Sequence, residues 1–474
     1  MNPLLDITVV GLGPGDPAHL TEAARELLAR APAVWVRTVH HPAVASIPPG
    51  AVVHSCDDLY ATHDAFEEVY QAIADRLIAA ARAGPVVYAV PGDPSVGETS
   101  VALLRRAAVQ HGLSLGVLPG VSFIEPMLAA LGWDALDGVQ VADATRLATA
   151  HYPTIDPGQP ALIGQVYSRL IASDLKITLL GQYPPEHPVT LVDGAGTARE
   201  SVDTDSSPAF QLTTRPLAEL DHADDFNDLT SLAVPALPYP GSLLQLAEAI
   251  AHLRAPDGCP WDLAQTHESL RPYLLEEAYE TLSALDADDM PALAEELGDL
   301  LLQVVLHAQI AAEGGEFTLP DIIHGITAKI WRRHPHVFGT VQVSGVDEVL
   351  ANWETLKRQE RASRGDTDAD DPYRGIPVTL PALARAQAVQ QRGTRKGMAD
   401  ASETMKSAGD FNAGDAADTG DMEDMEEPEV QGAIQRARIG DALWELVQLA
   451  ETWNVDAEAA LREATDRQLE RVRD

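Results

Sequence analysis

The sequence predicts a multidomain chain, with an N-terminal α/β domain followed by an all-α helical domain. Three observations predict it. Strand-like and helix-like segments alternate through roughly the first 220 residues. From residue 242 to 361 the apolar residues follow only the helical period. The length of 474 residues, 45% of them hydrophobic, suits two or three domains, each able to bury a core.

The elements follow in chain order. DITVVGLG (6–13) reads as a strand entering a glycine turn, LTEAARELLARA (20–31) as a helix and AVWVRT (33–38) as a second strand. FEEVYQAIADRLIAAARA (66–83) is a long amphipathic helix, followed by the strand PVVYAV (85–90). The helix TSVALLRRAAVQHG (99–112) and the short strand LSLGVL (113–118) come next. LKITLLGQY (175–183) and PVTLVDG (188–194) read as late strands, and residues 223–240, acidic and then proline-rich, as a linker between a domain at 1–222 and a helical domain at 241–362. In the helical domain, residues 242–255, 319–335 and 346–362 are predicted helices, with a helical hairpin between the first two. Residues 363–474 begin with a polar linker (364–372) and the helix PALARAQAVQQRG (381–393). Residues 399–429, acidic and poor in aliphatics, have a composition expected to stay disordered. The last stretch is helical again, and Ile439-Gly440-Asp441-Ala442-Leu443 parallels Leu297-Gly298-Asp299-Leu300-Leu301. Arg438 stands where Glu296 stands, so this is a degenerate repeat that has lost acidic residues.

The hairpin at residues 274–307, LLEEAYETLSALDADDMPALAEELGDLLLQVVLH, carries the chemistry. Its two helices are separated by a break at 286–291. At about 100° per residue, Glu277 and Glu280 share one side of the first helix, next to Glu276, and Glu296 and Asp299 share one side of the second. Leu293, Leu297, Leu300, Leu301, Leu302, Val304, Val305 and Leu306 cover nearly all of the second helix, leaving Glu296, Asp299, Gln303 and His307 as one polar stripe. A helix apolar almost all round is expected to be buried, and carboxylates there are costly unless paired or bound to metal. A lone E-x-x-E usually marks a solvated face; the same spacing on two adjacent helices points to a hard-cation site, most simply Mg²⁺.

Composition bounds the partners. The net charge of −39 disfavours nucleic acid and acidic membranes, and a bound cation would reverse that repulsion locally for an anionic ligand. Two cysteines, Cys56 and Cys259, exclude a disulfide framework and suit a reducing cytoplasm. The start MNPLLDITVV shows no signal-peptide pattern, and no apolar run is long enough to span a membrane. Three glycine loops, Gly11-Leu12-Gly13-Pro14-Gly15, Pro91-Gly92-Asp93-Pro94 and Pro119-Gly120-Val121-Ser122, each follow a strand, where α/β folds bind ligands. None matches G-x-G-x-x-G or G-K-[ST], which weakens dinucleotide and P-loop readings.

Those loops, in VVGLGPGDPAHLT (9–21), YAVPGDPSVGE (88–98) and LPGVSF (118–123), resemble the class III tetrapyrrole-methylase family of S-adenosylmethionine-dependent methyltransferases. The resemblance is good over residues 7–137 and poor in the rest of the domain. It implies two α/β lobes with S-adenosylmethionine in the cleft, lined by Gly11, Gly13, Gly92, Asp93, Val96 and Ser122. Phe123 stands where many members carry a small hydroxyl residue, and no residue identifies a methyl acceptor.

The helical domain resembles the MazG family of nucleoside triphosphate pyrophosphohydrolases, on GCPWD (258–262), QTH (265–267), YLLEEAYE (273–280), ELGD (296–299), RRHPHVF (332–338) and Trp353-Glu354. That resemblance implies a helical bundle cleaving nucleoside triphosphates to monophosphate and pyrophosphate, with Glu277, Glu280, Glu296 and Asp299 as metal ligands. Glu276 becomes an outer ligand or an orienter of the attacking water. Lys329, Arg332 and Arg333 suit phosphate oxygens, and Trp261 and Trp353 suit stacking on a base, although dipole-complementing surface cations and plain packing are the alternatives. The family generally assembles across subunits, so a homodimer is expected. Two other readings stay open: a methyltransferase whose helical half is a dimerisation or regulatory nucleotide-binding module, and a nucleotide-responsive scaffold without catalysis.

Overall fold

The structure, a computed structural model, describes residues 5–63, 65–197, 210–224, 226–363, 373, 375–395 and 428–473. The chain divides into two compact units, Met1–Ile322 and Ile323–Asp474. The polar linker at 364–372 and almost all of the acidic stretch at 399–429 lie outside the described residues.

The first unit begins with a five-stranded parallel sheet made of β1 (Ile7–Gly11), β2 (Ala33–Val36), β3 (Val52–Ser55), β4 (Val86–Val90) and β5 (Leu115–Leu118), in the order β3-β2-β4-β1-β5. Near-continuous burial along β1 and β4 is what a parallel sheet covered on both faces requires. The helix Phe66–Ala81 covers one face because Val69, Ile73, Ala74, Leu77, Ile78 and Ala81 recur at three- and four-residue spacing. They pack with Ile7, Val9, Val86, Tyr88 and Val90 into one core. Thr21 caps the helix Glu22–Arg30, its hydroxyl accepting from the Ala24 amide.

A second sheet follows, ordered β6 (Gln140–Asp143), β7 (Ala161–Gly164), β10 (Thr230–Val234), β8 (Pro188–Asp193), β9 (Gln211–Pro216). Only β6 and β7 pair in parallel; the rest are antiparallel. Two expectations change here. LKITL belongs to the helix Arg169–Leu179, not to a strand. Ser168 caps that helix at the Ile171 amide, and Ala172, Leu175, Thr178 and Leu179 form its buried face, so helical spacing overrides the strand preference of Ile177 and Thr178. The stretch read as a linker contains β10, which is buried along its whole length between β7 and β8. Its short apolar run was hidden between an acidic segment and a proline-rich one.

A helical segment completes this unit. Ser242 starts the helix Leu243–Leu253 through a capping box with Gln245, and its hydroxyl also donates to Asp156 Oδ2 (3.1 Å). The helices Arg271–Asp286 and Met290–Gly314 form the antiparallel hairpin. Between them Asp288 takes φ +54°, and Asp289 caps the second helix at the Ala292 amide, with Pro291 in its first turn. Ile250, Leu270, Val305 and Leu306 form the local core.

The second unit is helical, with Pro335–Phe338, Val346–Ser363, Ala382–Arg395, Pro428–Thr452 and Ala457–Arg473. Side-chain amides tie together the helices of the stretch read as a degenerate repeat. Gln387 donates to the Val455 carbonyl (2.8 Å) and accepts from the Ala457 amide (3.0 Å), Gln390 donates to the Trp444 carbonyl (3.0 Å), and Gln391 donates to Glu451 (2.9 Å). Asp441 is exposed there, and among the described residues this repeat holds no acidic cluster of metal-ligating geometry. No helix among the described residues is long and apolar enough to cross a membrane.

Candidate active site

The hairpin brings its acids together. Glu277 and Glu280 on the first helix and Glu296 on the second each offer a carboxylate oxygen within 4.8 Å of the others. Oxygens in an octahedral Mg²⁺ shell sit about 2.1 Å from the ion, so opposite ligands lie about 4.2 Å apart. Three carboxylate oxygens at this mutual distance could hold such an ion. Asp299 lies outside that trio yet close enough for its charge to act on Glu277 and Glu296. Partial desolvation, then the charges of Asp299, Glu280, Glu276 and Glu296, push Glu277 above the usual carboxylate range. Desolvation, then Glu280, Asp299 and Glu295, do the same to Glu296. Crowded like charges with no cation among them are under repulsion, which a divalent ion would relieve. Glu276 is exposed beside the cluster.

The burial expected of the second helix is met on part of its surface, where Val305, Leu306, Ala308 and Ala311 are buried. Along its polar stripe Gln303 is buried, and Glu296, Asp299 and His307 are half-buried. Leu297, Leu301 and Val304 are exposed, Leu297 to 51%. The acids face the first helix, and part of the apolar surface, at Leu297, Leu301 and Val304, is exposed among the described residues. The Gln303 Oε1 atom is buried with no hydrogen-bond partner among the described residues.

Sequence reasoning missed two supports of this site. Arg254 donates from Nε and Nη2 to Glu313 (2.9 and 2.7 Å) and from Nη1 to the carbonyls of Asp262 and Gln265, tying the GCPWD loop to the second hairpin helix. His267 and His307 share a hydrogen bond between Nδ1 atoms 2.8 Å apart, with stacked rings. Desolvation, then His267, lowers the His307 pKa, and the hydrogen bond needs one ring nitrogen to donate and the other to accept. Both depend on partners at least eight residues away, which helical periodicity does not reveal. Trp261 is exposed and meets Tyr273 edge-on at 6.0 Å.

The other predicted ligand-binding side chains lie in the second unit. Lys329 is exposed. Arg332 and Arg333 both pair with Glu360, an acid the sequence reading passed over. Trp353 is half-buried, its indole Nε1 has no partner among the described residues, and His334 packs edge-on against its ring at 5.2 Å.

In the parallel sheet, β4, β1 and β5 are neighbours, so the three glycine loops leave adjacent strand ends. Gly13 and Gly92 exchange backbone hydrogen bonds (3.2 and 2.7 Å). A Cβ on Gly11 would meet the Gly92 carbonyl oxygen at 2.5 Å and the Gly120 amide nitrogen at 2.8 Å, so glycine permits this backbone-to-backbone contact. Gly92, at φ +65°, has open space where a side chain would stand, leaving bare backbone at the strand ends. Asp93 is spent on the loops themselves: one oxygen accepts from Ser95 and the other from the Gly120 amide (2.9 Å). Burial raises its pKa, but these hydrogen bonds outweigh burial and hold it below the usual range. Ser122 likewise donates to Glu125 (2.7 Å) and caps the Ile124 amide, while Val96 is half-buried with its amide bonded to the Asp93 carbonyl. Asp93 and Ser122 thus shape the loops, and their side chains are taken up by contacts within them.

Comparison with known proteins bears on both halves. The family model for tetrapyrrole (corrin/porphyrin) methylases matches residues 6–207, and that for the MazG nucleotide pyrophosphohydrolase domain matches residues 265–338, the span holding the acid hairpin. The uncharacterized protein YabN of Bacillus subtilis is 40% identical over 390 residues, 81% of this chain and 76% of that one. The Thermotoga maritima nucleoside triphosphate pyrophosphohydrolase/pyrophosphatase MazG is 37% identical over 233 residues, covering 48% of this chain and 83% of that protein. The Escherichia coli K12 nucleoside triphosphate pyrophosphohydrolase is 38% identical over 240 residues, 48% of this chain and 85% of that protein. Identity sustained across most of each relative, with the converging carboxylates inside the matched span, shows that the chain belongs to the MazG family and carries a tetrapyrrole-methylase-type α/β domain ahead of its helical domain.

Proposed function

We propose that the chain is a Mg²⁺-dependent nucleoside triphosphate pyrophosphohydrolase whose site is built on Glu277, Glu280, Glu296 and Asp299. The observation that carries this reading is the approach of three carboxylate oxygens to within 4.8 Å across the hairpin. The printed activity of the Thermotoga and Escherichia relatives supports the substrate class. Water attacks the α-phosphorus, the bond to the bridging α–β oxygen breaks, and nucleoside monophosphate and pyrophosphate leave. Mg²⁺, when bound, neutralises the triphosphate, orients it in line and makes the attacking water more acidic. Glu277, Glu280, Glu296 and Asp299 hold the ion's position, and Glu276 orients the water or serves as an outer ligand. Lys329, Arg332 and Arg333 bind phosphate oxygens, and Trp261 and Trp353 shape or stack on the base end. The exposed Leu297, Leu301 and Val304 support a homodimer that covers them. The test is pyrophosphate release from a panel of common and modified nucleoside triphosphates with Mg²⁺. Turnover that falls about a thousandfold or more in Glu277→Ala is expected; background product on every substrate, or full activity in the variant, sinks the reading.

The glycine loops favour a second activity. We propose that the α/β domain binds S-adenosylmethionine in the crevice bounded by Gly11, Gly13, Gly92, Asp93, Val96 and Ser122, chiefly through main-chain groups. The bare backbone at Gly92 supports this. Calorimetric titration with S-adenosylmethionine or S-adenosylhomocysteine tests it, and absence of heat with both argues against it. Strong donor binding in a chain that releases no pyrophosphate would instead make methyl transfer the main activity and the helical half its dimerisation module.

A further inference from the structure

The paired arginines of the second unit are already engaged by an anion. Glu360 Oε1 accepts from Arg332 Nε (2.8 Å) and Arg333 Nε (3.2 Å), and Oε2 accepts from Arg333 Nη2 (2.6 Å). Arg333 thus presents its planar fork to both carboxylate oxygens, the geometry with which guanidinium also grips phosphate. The Glu360 side chain is only 12% exposed, whereas that of Arg332 is 46% exposed. Glu360 also lies three residues before the end of the helix Val346–Ser363, where a helix opens most readily.

We propose that Glu360 is a phosphate stand-in. It occupies the seat of a substrate phosphate on Arg332 and Arg333 in the ligand-free protein and must be displaced when a nucleoside triphosphate binds. The inference rests on the reading of these arginines as triphosphate ligands and adds the residue that sets the cost of occupying them. Glu360 lowers apparent affinity by the fraction of time it holds the seat, and it disfavours weakly charged ligands that cannot compete with it. Its return to the arginines after hydrolysis helps product leave. Glu360 is a positioning residue here and touches no reacting atom.

The experiment titrates the full chain, with Mg²⁺, with α,β-methylene-ATP, which resists cleavage at the α–β bond. It compares wild type, Glu360→Gln, Glu360→Asp and Arg333→Ala. Glu360→Gln keeps the side-chain shape without the charge; Glu360→Asp keeps the charge but is too short to reach both arginines, and it serves if the glutamine variant does not fold. The expected result is about tenfold tighter binding in the Glu360 variants, seen also as a fall in KM, with weaker binding in Arg333→Ala. Weaker binding in Arg333→Ala together with unchanged or weaker binding in the Glu360 variants overturns the stand-in while leaving the arginines as ligands. Unchanged binding in Arg333→Ala removes the arginines from the site and the stand-in with them.

Discussion

Two glutamates of this chain are driven in opposite directions, and each direction has a measurable sign. Glu277 is pushed up by partial desolvation and by the acids around it. A carboxyl raised in the folded state contributes stability that is fully present below its unfolded value, about 4.3, and is lost as pH rises through the folded value. In a chelator at neutral pH, Glu277→Gln is therefore expected to melt higher than wild type, the two converging below about pH 4; equal melting at pH 7 would show that the acids do not repel. Added Mg²⁺ should reverse the order by stabilising only wild type. Glu360 is the converse: hydrogen bonds from Arg333, then Arg332, outweigh partial desolvation and hold it at about 2. Its contribution is present above the unfolded value and is lost as pH falls through about 2. Thermal melts from pH 5 down to 2 should thus show a steeper acid loss in wild type than in Glu360→Gln. The first glutamate was legible in the sequence because a three-residue step on adjacent helices is a geometric statement. The second was not, because its arginine partners lie 27 and 28 residues earlier, across an irregular stretch with no period to read.

At the scale of elements, the hairpin was legible down to its break, since Asp289 and Pro291 are start signals that act locally. The helix Arg169–Leu179 was misread because Ile177 and Thr178 favour strands by type, while their neighbours' burial follows the helical step. Strand β10 was missed because its place is set by pairing with β7 and β8, strands remote in sequence. Gly258 illustrates a motif residue with a structural reason. A Cβ there would run into the carbonyl oxygens of His252 and Leu253, while the Cys259 amide donates to that same Leu253 carbonyl (2.8 Å). The GCPWD loop is held this way and by Arg254. Gly258→Ala should cost about 2 kcal/mol or more in chemical denaturation, through displaced backbone at the helix end; a change within 0.5 kcal/mol or so would show that the loop adapts freely.

At the scale of the whole molecule, the second hairpin helix buries Val305 and Leu306 but leaves Leu297, Leu301 and Val304 exposed among the described residues. Periodicity marks that helix as one expected to be covered on every side, and it does not say which element supplies the cover. Leu297→Glu is expected to shift the protein from dimer to monomer in light scattering while leaving the α/β domain folded; a wild-type monomer with full turnover would refute a shared bundle. The α/β half and the helical half were legible separately because each carries its own motifs, three glycine loops in one and paired acids in the other. Calorimetric titration of the chelator-stripped full chain with Mg²⁺ tests most directly the proposal that those acids hold a divalent ion. Saturable binding at or below about a millimolar, abolished in Glu277→Ala and Glu296→Ala, is the predicted result. No saturable heat at tens of millimolar, or the same isotherm in both variants, would contradict it.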